Sequence, residues 1–241
     1  MTNCAIIIPA RMASTRLPGK PLADIGGKPM IAHMLDIARR SGLGPAFVAA
    51  GDDDIMAALP QESVVKTNPD LPSGTDRVAE ALTSCAPQAE IIVNLQGDVP
   101  LLAPSALQSC VDALLAEDAD MATLVVPLPA QDIANDPSSV KAVVAWNSER
   151  HGRALYFSRA AVPHGSDVLH YHVGIYAFRK EALRRFVQHP PHPLEEAEKL
   201  EQLRALGLGM KIAVGVCDEV PLGVDTPSDL EKARTLFRNK T

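Results

Sequence analysis

Aromatic side chains make up only 4% of the 241 residues, and Trp146 is the one tryptophan. So few rings offer little stacking surface to single-stranded nucleic acid. A formal net charge of −6 argues against a phosphate-backbone partner as well. The four cysteines, Cys4, Cys85, Cys110 and Cys217, lie far apart and match no metal-ligand spacing. At that density they read as small core residues of a protein kept in a reducing compartment. No run approaches the roughly 18 apolar residues of a membrane span. The chain passes directly into a strand-like pattern with no secretory leader, which predicts a cytoplasmic protein with no membrane partner. Two phosphate-binding fingerprints are missing too. No G-x-G-x-x-G follows a strand, and the P-loop fails twice, because Ser14 stands where its first glycine belongs and Pro21 follows Lys20.

What is present is an ordinary globular composition, 46% hydrophobic and 22% charged, and one unusual loop. Ile6-Ile7-Ile8 runs into Pro9 and reads as a buried parallel strand that stops there. Ala10 to Leu22 then carries three cations, Arg11, Arg16 and Lys20, among small residues and the hydroxyls of Ser14 and Thr15. In open α/β sheets, ligands bind where loops leave the carboxyl ends of strands. Fixed cations and free backbone N–H groups at such a place suit an anion of high charge density, above all a polyphosphate. The other reading is a solvated basic loop.

Strand-like and helix-like runs alternate along the chain, which predicts an α/β fold with a mainly parallel, mixed sheet flanked by helices. Candidate strands are Cys4–Ile8, Ala46–Ala50, Val64–Thr67, Ile91–Leu95, Met121–Val126, Ala142–Trp146, Val173–Phe178 and Lys211–Cys217. Met30–Arg40 shows helical spacing, with Pro29 at its start and Gly42 past its end. Leu107–Leu115 and Leu230–Phe237 repeat that spacing.

Asp98 is the first candidate metal ligand. It follows the apolar strand Ile91–Leu95, and Gly97 lets backbone approach a ligand closely. A carboxylate there, beside a polyphosphate, is what Mg²⁺ needs, since that ion is held by one or two carboxylates plus substrate phosphates. The alternative is an Asp-Pro-type turn ahead of Pro100. Asp225 is the second candidate. Thr226, Pro227 and Asp229 supply a helix start with its capping box, so the Asp225 carboxylate is left over. It is either a second metal ligand or an extra anion favoured by the helix dipole. Asp52-Asp53-Asp54 contains a D-x-D pattern, but its place before an apolar helical run reads as helix capping. Asp118 and Asp120 read as a solvated turn. Ser73 and Asp76 read as an N-cap pair before an apolar helix. His170 and His172 share one side of a strand, and with no third ligand nearby they suit a structural or substrate-binding role better than zinc. His189 and His192, within His-Pro-Pro-His-Pro, read as an exposed loop. Glu198, Glu201 and Arg204 read as a solvated helix face.

The loop from Pro9 to Leu22 resembles the opening signature of the 3-deoxy-manno-octulosonate (Kdo) cytidylyltransferases, also called CMP-Kdo synthetases. The resemblance continues in order through Ser73-Gly74-Thr75-Asp76-Arg77, Asn94-Leu95-Gln96-Gly97-Asp98 and Ala154-Leu155-Tyr156-Phe157-Ser158-Arg159. It then runs through Gly174-Ile175-Tyr176, Pro193-Leu194-Glu195, Leu200-Glu201-Gln202-Leu203-Arg204 and Gly223-Val224-Asp225-Thr226-Pro227. These blocks span nearly the whole chain.

The resemblance implies a Rossmann-like nucleotidyltransferase fold in one domain. A nucleotide-binding lobe covers about 1–127 and a sugar-binding and dimerisation lobe about 128–225, with 226–241 as a C-terminal helix packing back. The less periodic Pro127–Asn135 stretch marks the division, and antiparallel strands within Val140–His172 build the face of a homodimer. The implied reaction joins CTP and Kdo into CMP-Kdo and pyrophosphate, with Mg²⁺, for lipopolysaccharide biosynthesis. Arg11 and Lys20 then hold the triphosphate, Asp98 and Asp225 the metal. Ala10, Ser14, Ser73, Gly74 and Arg77 complete the nucleotide site, and Gln96, Arg159, His172, Glu195 and Gln202 read the sugar acid. Two departures stand out: Val99 replaces the acid that usually follows Gln-Gly-Asp, and the Pro163–His172 segment is short. The rivals are a CMP-sugar synthetase for amino-Kdo or sialic acid, and a non-catalytic nucleotide-binding regulator. A glycosyltransferase would release nucleotide rather than pyrophosphate.

Overall fold

The computed structural model describes residues 3–14 and 16–240, apart from the side chain of Lys240; Thr15, one of the two loop hydroxyls, lies outside the described residues. The chain forms two compact units, Met1–Leu107 with Pro221–Thr241, and Gln108–Val220.

The first unit opens with β1 (Cys4–Ala10), followed by the short pair β2 (Asp24–Ile25) and β3 (Lys28–Pro29). Next come α1 (Met30–Arg40), β4 (Ala46–Ala50), α2 (Asp53–Ala57), β5 (Val64–Lys66), α3 (Gly74–Cys85) and β6 (Ile91–Leu95). Its strands run in the order β5-β4-β1-β6, all parallel, with Ile7 opposite both Phe47 and Asn94. Ile6, Ile7 and Ile8 are fully buried, which explains a continuous aliphatic run in place of an alternating one. Pro9 does not end the strand, as the sequence suggests. It lies inside β1 opposite Ala49, because its fixed φ fits extended backbone, and Ala10 O still accepts the Gly51 N–H at 3.0 Å.

The second unit takes in most of α4 (Ser105–Ala116), then β7 (Met121–Pro129), α5 (Ala130–Ile133), β8 (Lys141–Trp146), β9 (His151–Ser158) and β10 (Val168–Arg179). Helices α6 (Lys180–Val187), α7 (Pro193–Glu198) and α8 (Gln202–Gly207) precede β11 (Ile212–Val216). The strand order is β10-β7-β11-β9-β8, and only β7 with β11 is parallel. The antiparallel strands expected within Val140–His172 are therefore β8, β9 and the start of β10. Strand β9 carries no period-2 signal clear enough to read in advance, and β10 begins at Val168, not Val173. The unit boundary falls at 107/108 and 220/221, not at 127 and 225. Pro127 and Pro129 are no linker: both lie in β7, opposite His170 and Val168 of β10.

The C-terminal helix α9 (Pro227–Lys240) belongs to the first unit. Val224, Leu230 and Ala233 pack with Leu17, Ile25 and Met30 in one buried cluster. That cluster joins the cationic loop to the segment just before α9, although more than 200 residues separate them in sequence.

Candidate active site

A cavity of about 420 Å³ opens in the first unit where β1 and β6 end and α3 begins. Ten residues singled out from sequence line it: Ala10, Arg11, Ser14, Lys20, Ser73, Gly74, Arg77, Gln96, Asp98 and Asp225. Arg16 joins them. Three local devices aim these groups. Ser73 caps α3, its hydroxyl accepting the Asp76 N–H at 3.2 Å and donating to Asp76 Oδ2 at 2.6 Å. Gly74 sits against Pro9, where a Cβ would meet the proline ring at 3.3 Å. Before α9, Asp229 Oδ2 accepts the Thr226 N–H at 3.1 Å and the Thr226 hydroxyl at 2.8 Å, while Thr226 Oγ1 accepts the Asp229 N–H at 3.3 Å. The capping box therefore closes as the spacing predicts and leaves Asp225 Oδ1 facing the cavity's cations.

Those cations decide the electrostatics. Lys20 Nζ donates to Asp98 Oδ2 and to Asp225 Oδ1, each at 2.9 Å, and Arg16 Nη2 lies 3.2 Å from the same Asp225 oxygen. Burial alone would lower the Lys20 pKa, but the charge of Asp98 and the hydrogen bonds to both aspartates outweigh it, so the ammonium is held above its ordinary value. The two candidate metal ligands thus converge on one cation. Among the described residues no group of three or more His, Cys, Asp or Glu side chains gathers to form an all-protein metal cage. A pair of carboxylates beside a cationic loop is the kind of donor set that Mg²⁺ takes together with phosphate oxygens, and the residues present fit that ion.

Arg77 departs from its expected task. Its Nη1 donates to Thr67 Oγ1 at 2.6 Å and Asn68 O at 3.0 Å, and Nη2 to Pro69 O at 3.3 Å. It is 2% exposed, and burial, with Arg11 adding to it, pulls its pKa below the ordinary value. Arg77 thus contributes charge to the cavity wall while its donors hold the 67–69 turn. Gly97 is also spent locally: a Cβ there would lie 3.3 Å from Pro9 O.

Asp52 does not cap a helix with its side chain, contrary to the sequence pattern. It occupies the N-cap position of α2, but its Oδ2 accepts the Met12 N–H at 2.8 Å. With Gly51 N–H on Ala10 O, this clamps the start of the cationic loop at both ends. A carboxylate following β4 was the available signal, but nothing local names its partner.

Of the expected sugar-binding residues, Gln96 is among that cavity's lining, and Arg159, His172, Glu195 and Gln202 belong to the second unit. Arg159 donates to Glu198 O at 2.7 Å and Pro137 O at 2.9 Å, which leaves it a brace for backbone. Glu195 is consumed by Arg204, with contacts of 2.8 and 2.7 Å, and by the His192 N–H at 3.0 Å. Arg204 is buried and its guanidinium lies 4.5 Å from the Phe186 ring centre, so it is no part of a solvated face. Nor is Glu198, which accepts the Ser158 hydroxyl at 2.6 Å and the Arg159 N–H at 2.9 Å. His192 caps α7 instead of idling in an exposed loop. Asp118 pairs with Arg179 at 2.7 Å, and Asp120 Oδ2 accepts the Lys211 N–H at 2.7 Å. His172 is buried with Nε2 at 2.9 Å from Thr123 Oγ1, and burial holds its pKa down at about 3. Gln202 is 3% exposed; its Oε1 accepts from the Tyr176 hydroxyl at 3.1 Å while its Nε2 has no hydrogen-bond partner among the described residues.

A family profile described as Cytidylyltransferase matches residues 5–212. A 3-deoxy-manno-octulosonate cytidylyltransferase of Parvibaculum lavamentivorans is 48% identical over 240 residues, covering 98% of this chain and 93% of that protein. Another, from Rhodospirillum centenum, is 50% identical over 244 residues, covering 99% and 95%. The chain belongs to the 3-deoxy-manno-octulosonate cytidylyltransferase family. A solved structure of a CMP:2-keto-3-deoxy-manno-octonic acid synthetase complexed with CTP matches this cytidylyltransferase chain along the full length of both, with a TM-score of 0.91 at 38% identity. A cytidylyltransferase of Leptospira borgpetersenii shares the fold, with a TM-score of 0.63 at 18% identity. After Gln96-Gly97-Asp98, Val99 is half-buried and its carbonyl accepts the Leu102 N–H at 3.0 Å. Of the Pro163–His172 segment, 163–167 lies in the connection between β9 and β10 and Val168–His172 forms the start of β10.

Proposed function

We propose that this protein is a nucleotidyltransferase that activates Kdo with CTP, giving CMP-Kdo and pyrophosphate for lipopolysaccharide biosynthesis. The carrying observation is the convergence of Lys20, Arg16, Asp98 and Asp225 in one cavity with Arg11, within a chain about half identical to Kdo cytidylyltransferases. Phosphoryl transfer of this kind asks the protein mainly to position the reactants and to neutralise developing charge. Arg11, Arg16 and Lys20 bind the triphosphate, and the Asp52 clamp keeps Arg11's loop in register. Asp98 and Asp225 hold Mg²⁺, which when bound neutralises phosphate charge and lowers the pKa of the attacking sugar hydroxyl. That hydroxyl attacks the α-phosphate in line and pyrophosphate leaves. Aligning both substrates supplies up to roughly 7–11 kcal/mol of the barrier.

Sugar recognition falls to the second unit. The Nε2 of Gln202, without a hydrogen-bond partner among the described residues while its Oε1 accepts from Tyr176, is the group most ready to take a hydroxyl-rich ligand. Leu155 and Val168, 50% and 45% exposed within Val140–His172, support a homodimer face there. The scattered, free cysteines suit a cytoplasmic setting.

The test is pyrophosphate release with CTP, UTP, ATP and GTP, each with and without Kdo. Turnover is expected only with CTP and Kdo together and Mg²⁺ present, and Asp98→Ala or Asp225→Ala should cut it at least about a hundredfold. Turnover with sialic acid but not Kdo would reassign the sugar; none with any pair would leave a nucleotide-binding regulator.

A further inference from the structure

The ammonium of Lys20 is not poised over open cavity. It is hydrogen-bonded to Asp98 Oδ2 and Asp225 Oδ1 at 2.9 Å each, and only 15% of its side chain is exposed. These are the oxygens that a divalent cation needs. Metal–oxygen bonds to Mg²⁺ are about 2.1 Å and use the same carboxylate lone pairs, so ammonium and metal compete for one place.

The charge of the cavity points the same way. Four cations, Arg11, Arg16, Lys20 and Arg77, line it against two anions, Asp98 and Asp225, for a formal +2. A bare divalent cation meets net repulsion there and must also break two charge-assisted hydrogen bonds. A nucleoside triphosphate brings roughly four negative charges and still carries net negative charge with a divalent ion attached, so the metal–nucleotide pair is attracted where the metal alone is not. The triphosphate also offers the ammonium new oxygen partners, which free the two carboxylates.

We propose that Lys20 is a resident counter-ion for Asp98 and Asp225, which keeps divalent cations out of that pair until a triphosphate draws its ammonium away. The inference rests on the reading of this cavity as a metal–triphosphate site and adds an order to it. Nucleotide and metal bind cooperatively, and by linkage each raises the other's affinity by the same factor. Arg16, also on Asp225 Oδ1 but 67% exposed, contributes less because solvent screens it.

The probe is Mn²⁺ binding to the full chain, followed by electron paramagnetic resonance with a protein-free CTP blank. The wild type should bind Mn²⁺ at least about tenfold more tightly with CTP than without it. Lys20→Met should bind Mn²⁺ without CTP at least about tenfold more tightly than the wild type, and Lys20→Arg, which keeps the charge, should not. Adding Asp98→Asn to Lys20→Met should abolish the gain. If the wild type takes up Mn²⁺ only with CTP but Lys20→Met shows no gain, the counter-ion inference falls and the metal–triphosphate reading stands. If Mn²⁺ is not taken up even with CTP, that reading fails and the inference with it. Should Lys20→Met not fold, the wild type decides alone: equal Mn²⁺ affinity with and without CTP overturns the proposal.

Discussion

Asp52 shows how one carboxylate can fix a loop forty residues away. Its Oδ2 and the Gly51 N–H hold Met12 N–H and Ala10 O, so the backbone on either side of Arg11 is set before any ligand arrives. A hydrogen bond to a charged acceptor contributes about 1.5–3 kcal/mol, and catalytic geometry degrades faster than stability, with 1 Å of misplacement costing up to about a hundredfold. Asp52→Ala should therefore lower kcat/KM for CTP by roughly tenfold to a hundredfold while the KM for Kdo stays near the wild-type value. Asp52→Asn, which keeps an acceptor oxygen, should recover most of the loss; steady-state kinetics of both variants decide. If both lose activity equally, the charge and not the clamp is what matters. The sequence could not name this partner, because three consecutive aspartates before Ile55-Met56-Ala57 look like capping and a 40-residue hydrogen bond leaves no local trace. Asp225 is the opposite case. Thr226 and Asp229 cap α9 by a rule of spacing, so the leftover carboxylate was legible from five neighbouring residues.

At the scale of elements, α7 and α8 are held by charge that looks solvated on paper. Glu195 opens α7 and Arg204 lies in α8, with side chains only 13% and 6% exposed, and Phe186 of α6 covers the guanidinium. Nothing in Glu198-Lys199-Leu200-Glu201 betrays this, because the cover comes from a helix that the periodicity left unassigned. Removing one partner of a buried pair strands the other charge, at a cost of about 3–5 kcal/mol. Arg204→Met should show that loss in chemical denaturation, and Glu195→Gln combined with Arg204→Met should recover much of it. Glu195→Gln alone at wild-type stability, with a raised KM for Kdo, would return Glu195 to the sugar site. The parallel strands β1 and β6 were readable because burial on both faces imposes near-continuous apolar runs, and β4 because Val48, Ala49 and Ala50 are fully buried. In β9, by contrast, Gly152 and Ala154 are buried between exposed or half-exposed neighbours, but Phe157 and Ser158 are buried side by side, and a register shift opposite Val143–Val144 breaks the alternation.

For the molecule as a whole, burial of histidine in the second unit ties stability to pH. The Thr123 hydroxyl donates to Val173 O at 3.0 Å, so it can only accept from His172, whose Nε2 must carry the proton of a neutral ring. Burial depresses the His172 pKa to about 3, from an ordinary value of about 6.5, and burial shifts His170 in the same direction. The unfolded chain therefore binds protons that the folded one refuses. Stability is complete above about pH 6.5 and falls as pH drops from there toward about 3, because the unfolded state binds more protons throughout that window. Paired carboxylates add their own loss at the acid end, so the interval just below pH 6.5 isolates the histidines. Denaturant unfolding followed from pH 7.5 to 5 should show stability declining through that interval. His172→Gln keeps an amide N–H for Thr123 but cannot titrate, and should flatten most of the decline, leaving the part due to His170. An unchanged slope in that variant would mean that His172 is already reached by solvent protons in the folded chain, and that its ring is available to a ligand instead of being locked into the core beside Phe157.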